Sequence, residues 1–133
     1  MIHAGAPTPA AGRGDQARTW VPTLLFIVLI LVTAFRPVPA LLRGRHLDKL
    51  LHFIAYGILS VLAYRSFERN GSRWPAALAF LLALLVGFAD EGIQMLGTRR
   101  TADRFDLVAD AAGAFTGSIV THLAPRRTTR QRP

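Results

Sequence analysis

Ionisable and amide side chains recur at helical spacing in three places along this chain. Asp48, His52 and Tyr56 stand at i, i+4 and i+8, Asp90 and Glu91 lie four and three residues before Gln94, and Asp103, Asp106 and Asp110 follow at three- and four-residue steps. Residues at such spacings share one face of an α-helix. Carboxylates and an imidazole are oxygen and nitrogen donors, which makes His52, Asp106 and Asp110 candidate ligands for a divalent metal. Glu91, set among apolar neighbours, and His52 are candidate acid and base. Arg99 and Arg100 carry guanidinium forks suited to a lipid phosphate. Each residue also has a plainer reading. Asp48 caps a helix, Lys49 extends to the membrane interface, Asp106 pairs with Arg100 or Arg104, and His52 is an interhelical hydrogen bonder. Gly113 and Gly117 make a Gly-x-x-x-Gly step of the kind used for close helix packing, which also permits a homo-oligomer.

The elements that must position these groups are apolar runs. Trp20 to Phe35 carries no charge, Leu50 to Phe67 follows Asp48 and Lys49, Trp74 to Ala89 is again uncharged, and Phe105 to Ala124 holds Asp106 and Asp110 near its start. Each is roughly one bilayer thickness at ~1.5 Å per residue. The pattern predicts an all-α membrane protein, an up-down bundle of four transmembrane helices over about 20–36, 49–67, 74–96 and 105–124. A flexible leader (1–19) precedes this domain of residues 20–124, and a basic tail (125–133) follows it. Residues 36–39 (Arg-Pro-Val-Pro) are expected to stop the first helix. The first run is longer than a signal-peptide core and is read as retained, since proline is unfavourable at the nearby small-residue site Val38-Pro39-Ala40.

Composition narrows the class. The chain has 133 residues, 51% of them apolar, no cysteine, and a formal net charge of +8. The missing cysteine excludes disulfide frameworks, thiolate metal sites and a thiol nucleophile. Half of the net charge sits in the tail, on Arg126, Arg127, Arg130 and Arg132, where it suits anionic lipid. No nucleic-acid partner is expected, because basic residues are not interleaved with aromatics and no zinc-finger or RNP-type spacing occurs. There is no Gly-x-Ser-x-Gly nucleophile motif, Gly-rich phosphate loop, Asp-Gly-x-x-Ala-Arg run or Glu-Glu-x-x-x-Arg run.

Charge also sets an expected orientation. The leader, the second loop and the tail hold nine Lys and Arg, and the first and third loops hold seven. The bias favours both termini in the cytoplasm. In an up-down bundle the start of the second helix, the end of the third and the start of the fourth then meet at the extracytoplasmic face. That brings Asp48, Lys49, His52, Tyr56, Glu91, Gln94, Arg100, Asp103, Asp106 and Asp110 together as a ligand-binding cluster. The opposite ends are expected to hold only loop charges such as Glu68 and Arg69.

Three ordered segments resemble motifs of the VanZ-like membrane family: residues 48–56 (DKLLHFIAY), residues 90–94 (DEGIQ) and residues 100–113 (RTADRFDLVADAAG). Asp103 stands where serine is frequent and Asp110 where asparagine is frequent, and both raise the local negative charge. The resemblance spans about residues 46–120. It implies a four-helix protein of the bacterial cytoplasmic membrane, in a family whose founding member is associated with resistance to the glycopeptide teicoplanin.

Three functional readings follow. In the first, the cluster binds a lipid or a lipid-linked envelope precursor. The second is a membrane enzyme acting on a lipid-linked substrate, with Glu91 or His52 as acid or base and a divalent metal as its candidate cofactor. The third is a structural scaffold whose polar groups set helix register.

Overall fold

The computed structural model describes residues 13–35, 45–97 and 104–124. Arg36 to Pro39, Arg99, Arg100, Asp103 and the basic tail lie outside the described residues. Four helices account for nearly all of the described chain: α1 (Arg13–Ala34), α2 (Arg45–Arg69), α3 (Pro75–Gly97) and α4 (Arg104–Leu123). Among the described residues the architecture is all-helical. Three helices hold segments long and apolar enough to cross a membrane, Gly14–Ala34, His46–Arg69 and Pro75–Leu96. The fourth is not such a span by composition, because Asp106 and Asp110 fall within its 20 residues.

α1 begins upstream of the apolar run at Trp20. Asp15 in its first turn faces the positive end of the helix dipole, and Arg18 lies 4.0 Å from it, so the polar turn continues the helix. Between α2 and α3 the chain reverses within a few residues. Gly71 adopts φ 75°, a left-handed conformation that side chains disfavour. The amides of Gly71 and Ser72 donate to the carbonyls of Glu68 and Phe67 (3.0 and 2.9 Å), closing α2, and Pro75 opens α3, where its missing N–H costs nothing. This tight turn makes α3 antiparallel to α2. It returns Asp90, Glu91 and Gln94 to the level of the first half of α2.

α2 and α3 are central. α1 packs against both on one side and α4 against both on the other, with the α2–α4 contact the most extensive. Helices α2 and α4 run parallel, because pairs between them advance together from Lys49–Asp106 to Tyr64–His122. Small residues permit the approach. A Cβ at Gly113 would overlap the Phe53 carbonyl, and one at Gly117 would overlap the Gly57 carbonyl. The Gly113-x-x-x-Gly117 step therefore faces α2 of the same chain.

Polar character is inverted relative to a water-soluble protein. The buried side chains include Thr23, Ser60, Ser66, Ser118, Asp106, Asp110 and several alanines, whereas Leu24, Leu25, Val28, Leu81, Leu85, Phe88, Phe115 and Val120 point outward. An apolar surface of this extent is stable against lipid and not against water.

Alanine substitution at the seam glycines should separate by position. Gly113→Ala and Gly117→Ala should each destabilise the fold by about 1–3 kcal/mol through overpacking. Gly57→Ala, whose Cβ would sit 3.4 Å from the Gly113 carbonyl oxygen, and Gly92→Ala, which opens into free space, should fold like the native chain. Unfolding in mixed detergent micelles measures all four.

Candidate functional site

At one end of the α2–α4 seam, six ionisable or phenolic groups are joined in three pairs across helices, with Lys49, His52 and Tyr56 all contributed by α2. Lys49 is one turn from the start of α2, and its Nζ donates to Asp106 Oδ1 at 2.8 Å. One turn further on, His52 Nδ1 lies 2.8 Å from Asp110 Oδ1. A turn beyond that, Tyr56 Oη donates to Asp90 Oδ2 on α3 at 3.1 Å. The helical i, i+4 rule puts His52 and Tyr56 on one face, and their rings are parallel, 4° apart in tilt with centroids separated by 6.2 Å. Phe105 lies under the Lys49 ammonium, 5.6 Å from ring centroid to Nζ.

The site is acidic and largely buried. Asp90, Glu91, Gln94, Asp106 and Asp110 are buried, Asp110 completely. Asp90 Oδ1, Glu91 Oε1 and Asp110 Oδ2 have no hydrogen-bond partner among the described residues. Gly87 on α3 makes room for the last of these, since a Cβ there would lie 3.1 Å from Asp110 Oδ2. Ligand atoms of Asp48, His52 and Asp106 all lie within 4.8 Å of one another. The arrangement can hold a cation, orient an imidazole through its Nδ1, or pass a proton between His52 and a carboxylate.

Of the residues expected in the cluster, Asp48, Lys49, His52, Tyr56, Glu91, Gln94, Asp106 and Asp110 come together at this end of the helices. Arg100 and Asp103 are outside the described residues. Asp106 has Lys49 as its partner, where the sequence offered Arg100 or Arg104. Within the metal-ligand candidates, Asp48 joins His52 and Asp106, whereas Asp110 is hydrogen-bonded to the imidazole at Nδ1. Asp90 is the residue that spacing alone undervalued. Its signal was Tyr56, a phenol on an apolar face that must find a buried acceptor.

The opposite half of the bundle differs from expectation. The sequence pattern predicts only loop charges there, but Ser60 and Ser118 share a 2.6 Å hydrogen bond in full burial, and Tyr64 Oη lies 3.2 Å from His122 Nδ1. Between α1 and α2, Thr23 and Ser66 share a hydrogen bond of 2.9 Å, and Asn70 Nδ2 donates to Thr19 Oγ1 at 2.7 Å. Isolated serines and threonines in apolar runs carry no helical period, so only the packing partners reveal these pairs.

The Lys49–Asp106 pair should behave as a coupled unit. A double-mutant cycle of Lys49→Met and Asp106→Asn, read by unfolding in detergent, should give a coupling of about 1–3 kcal/mol. Asp15→Asn, which lies at the exposed start of α1, should leave stability within about 0.5 kcal/mol.

Comparison with known proteins identifies the family of this chain. Residues 9–125 match the VanZ/LLP1 family. A curated relative, the fission yeast (Schizosaccharomyces pombe) "Uncharacterized protein C11E3.10", is 27% identical over 103 residues, which is 77% of this chain and 64% of the relative. The chain therefore spans less than two thirds of that relative's length. No solved structure matches. The family match covers all four helices and every described residue of the polar cluster, and the chain belongs to the VanZ/LLP1 family.

Proposed function

We propose that the protein is a four-span membrane protein that binds a lipid or a lipid-linked envelope component. The head group would meet the polar cluster, and a chain of the lipid would lie along the α2–α4 seam. The observation that carries this reading is an apolar groove of about 340 Å³ between these two helices. It is lined by Phe53, Ile58, Gly57, Val61, Gly113 and Thr116 among others, and begins about one turn from His52 and Asp110. The glycines that bring the backbones together also leave the groove without side chains along its floor. In a bilayer its mouth faces hydrocarbon.

The fourth span is supported by direction rather than composition. Asp106, Asp110 and Ser118 of α4 are buried, while Phe105, Val108, Phe115, Ile119, Val120 and Leu123 are exposed. Twenty residues extend about 30 Å, the thickness of the hydrocarbon core. Carboxylates that face the bundle interior do not oppose insertion as lipid-facing ones would. In a bacterium the membrane would be the cytoplasmic one, with both termini in the cytoplasm and the cluster outside. The yeast relative favours a ligand class common to bacterial and eukaryotic membranes over one confined to the bacterial wall. Teicoplanin resistance would then be one consequence of lipid handling in particular relatives.

The His52–Asp110 pair supports a second reading, chemistry on a bound lipid-linked substrate. A carboxylate on Nδ1 orients an imidazole for acid–base work at its other nitrogen, and Glu91 stands within the same acidic site. Glu91→Gln should then abolish turnover of the bound lipid while leaving the lipid retained.

Two measurements test the proposal. The native chain has no cysteine, so Thr8→Cys and Thr128→Cys, made singly, report the termini by labelling with an impermeant maleimide. Labelling from the same side is expected, and labelling from opposite sides would remove α4 from the membrane. Lipids retained in mild detergent should include a species enriched in the native chain and lost in Ile58→Trp, which fills the groove, and in Glu91→Ala. Identical unselective profiles from all three folded proteins would leave a scaffold whose polar groups only set register.

A further inference from the structure

We infer that Asp48, His52 and Asp106 bind one divalent first-row transition-metal ion at the end of the α2–α4 seam, with Asp110 holding the imidazole from behind. This site is independent of the lipid reading and stands without it.

Geometry is the first support. Three donors on one ion with bonds near 2.1 Å lie at most about 4.2 Å apart. Ligand atoms of Asp48, His52 and Asp106 fall within 4.8 Å, a few tenths of an ångström from that limit, which side-chain rotation covers. Asp48 and His52 are one helical turn apart on α2, and Asp106 arrives from the parallel α4, so two rigid elements hold the set. His52 Nδ1 is engaged by Asp110 Oδ1 at 2.8 Å, leaving Nε2 as the ring's second nitrogen. A carboxylate on one imidazole nitrogen fixes the tautomer and raises the basicity of the other, the arrangement that supports histidine metal ligands.

Charge is the second support and is independent of the triad's spacing. Asp90, Glu91, Asp106 and Asp110 are buried; Lys49 is ion-paired with Asp106, and His52, which is neutral as a metal ligand, is hydrogen-bonded to Asp110. Glu91 is 9% exposed and its Oε1 has no partner among the described residues. Asp90, its neighbour on α3, is held at the cluster by the Tyr56 hydroxyl. Buried carboxylates without counter-charge are costly. A divalent ion supplies the missing charge at the place where these groups converge. Two carboxylates and one imidazole make a mixed oxygen and nitrogen set, which suits Mn²⁺, Fe²⁺ or Zn²⁺ better than Ca²⁺.

Lys49 gives the proposal a distinctive prediction. Its ammonium shares Asp106 with the proposed ion, at 2.8 Å from Oδ1. Removing that charge should tighten metal binding, whereas a purely structural salt bridge predicts no gain.

The test uses the full chain purified in mild detergent, stripped with a chelator and titrated with Mn²⁺, followed by competition with Zn²⁺. One ion per chain is expected. Asp106→Asn and His52→Gln should each weaken binding at least tenfold, Asp110→Asn about tenfold or more through the imidazole, and Lys49→Met should strengthen it severalfold. Asp15→Asn should bind as the native chain does. Should the cluster variants fail to fold, Mn²⁺ on the native chain still decides: nitrogen coupling in its electron spin-echo signal is expected from His52. Less than one ion per chain, no nitrogen coupling, or native affinity in folded His52→Gln would overturn the site. Retention of lipid by a metal-stripped chain would leave the lipid reading intact, and metal binding with no selected lipid would leave the metal site intact.

Discussion

Backbone contact between two parallel helices is the constraint on which the remaining architecture depends. Gly113 and Gly117 lie against the carbonyls of Phe53 and Gly57 so closely that a methyl group has no room. In a bilayer there is little hydrophobic gain from bringing helices together, because lipid tails are as apolar as leucine. Close van der Waals fit and hydrogen bonds must hold the pair, and small residues provide the fit. Once the seam is set, register follows. Lys49 meets Asp106, His52 meets Asp110, Ser60 meets Ser118 and Tyr64 meets His122 along the same interface. A shift of one turn at the glycines would unpair several of these groups together.

The direction of every side chain then acquires a cost in either water or lipid. Leucine, valine and phenylalanine cover the outside, and carboxylates, hydroxyls and small residues fill the inside. In α4 composition and direction differ. Its acidic residues lower the average yet face α2 and α3, and its outer face is as apolar as those of its neighbours. The tight turn at Gly71 and Pro75 completes the site, because it folds α3 back to bring Asp90 and Glu91 against a cluster that α2 and α4 only begin.

Much of the candidate site was legible because it repeats with the helical period. Asp48, His52 and Tyr56 declare one face of α2, and Asp106, Asp110, Gly113 and Gly117 declare one face of α4, whether or not the partner is known. Asp90 was less legible, since it lies beside Glu91 and only the tyrosine opposite tells which carboxylate accepts a bond. The hydroxyl pairs in the other half were not legible at all. Ser60, Ser118 and Thr23 are single small polar residues in apolar runs, and such residues satisfy their own helix carbonyls as readily as a neighbour.

The amino-acid sequence by itself determined the helical class, the apolar runs, the placement of ionisable groups at one end of them and the family, because these depend on period and order along one chain. The tertiary structure decided which helices touch. It made α2 and α3 central, set α2 against α4 in parallel contact, gave Asp106 to Lys49, hydrogen-bonded Asp110 to His52, and grouped Asp48 with His52 and Asp106 as possible ligands. Pairing across helices depends on the distance between backbones. That distance is set by where glycine lacks a side chain on one helix and a carbonyl lies opposite on another, a relation between two segments that neither carries alone.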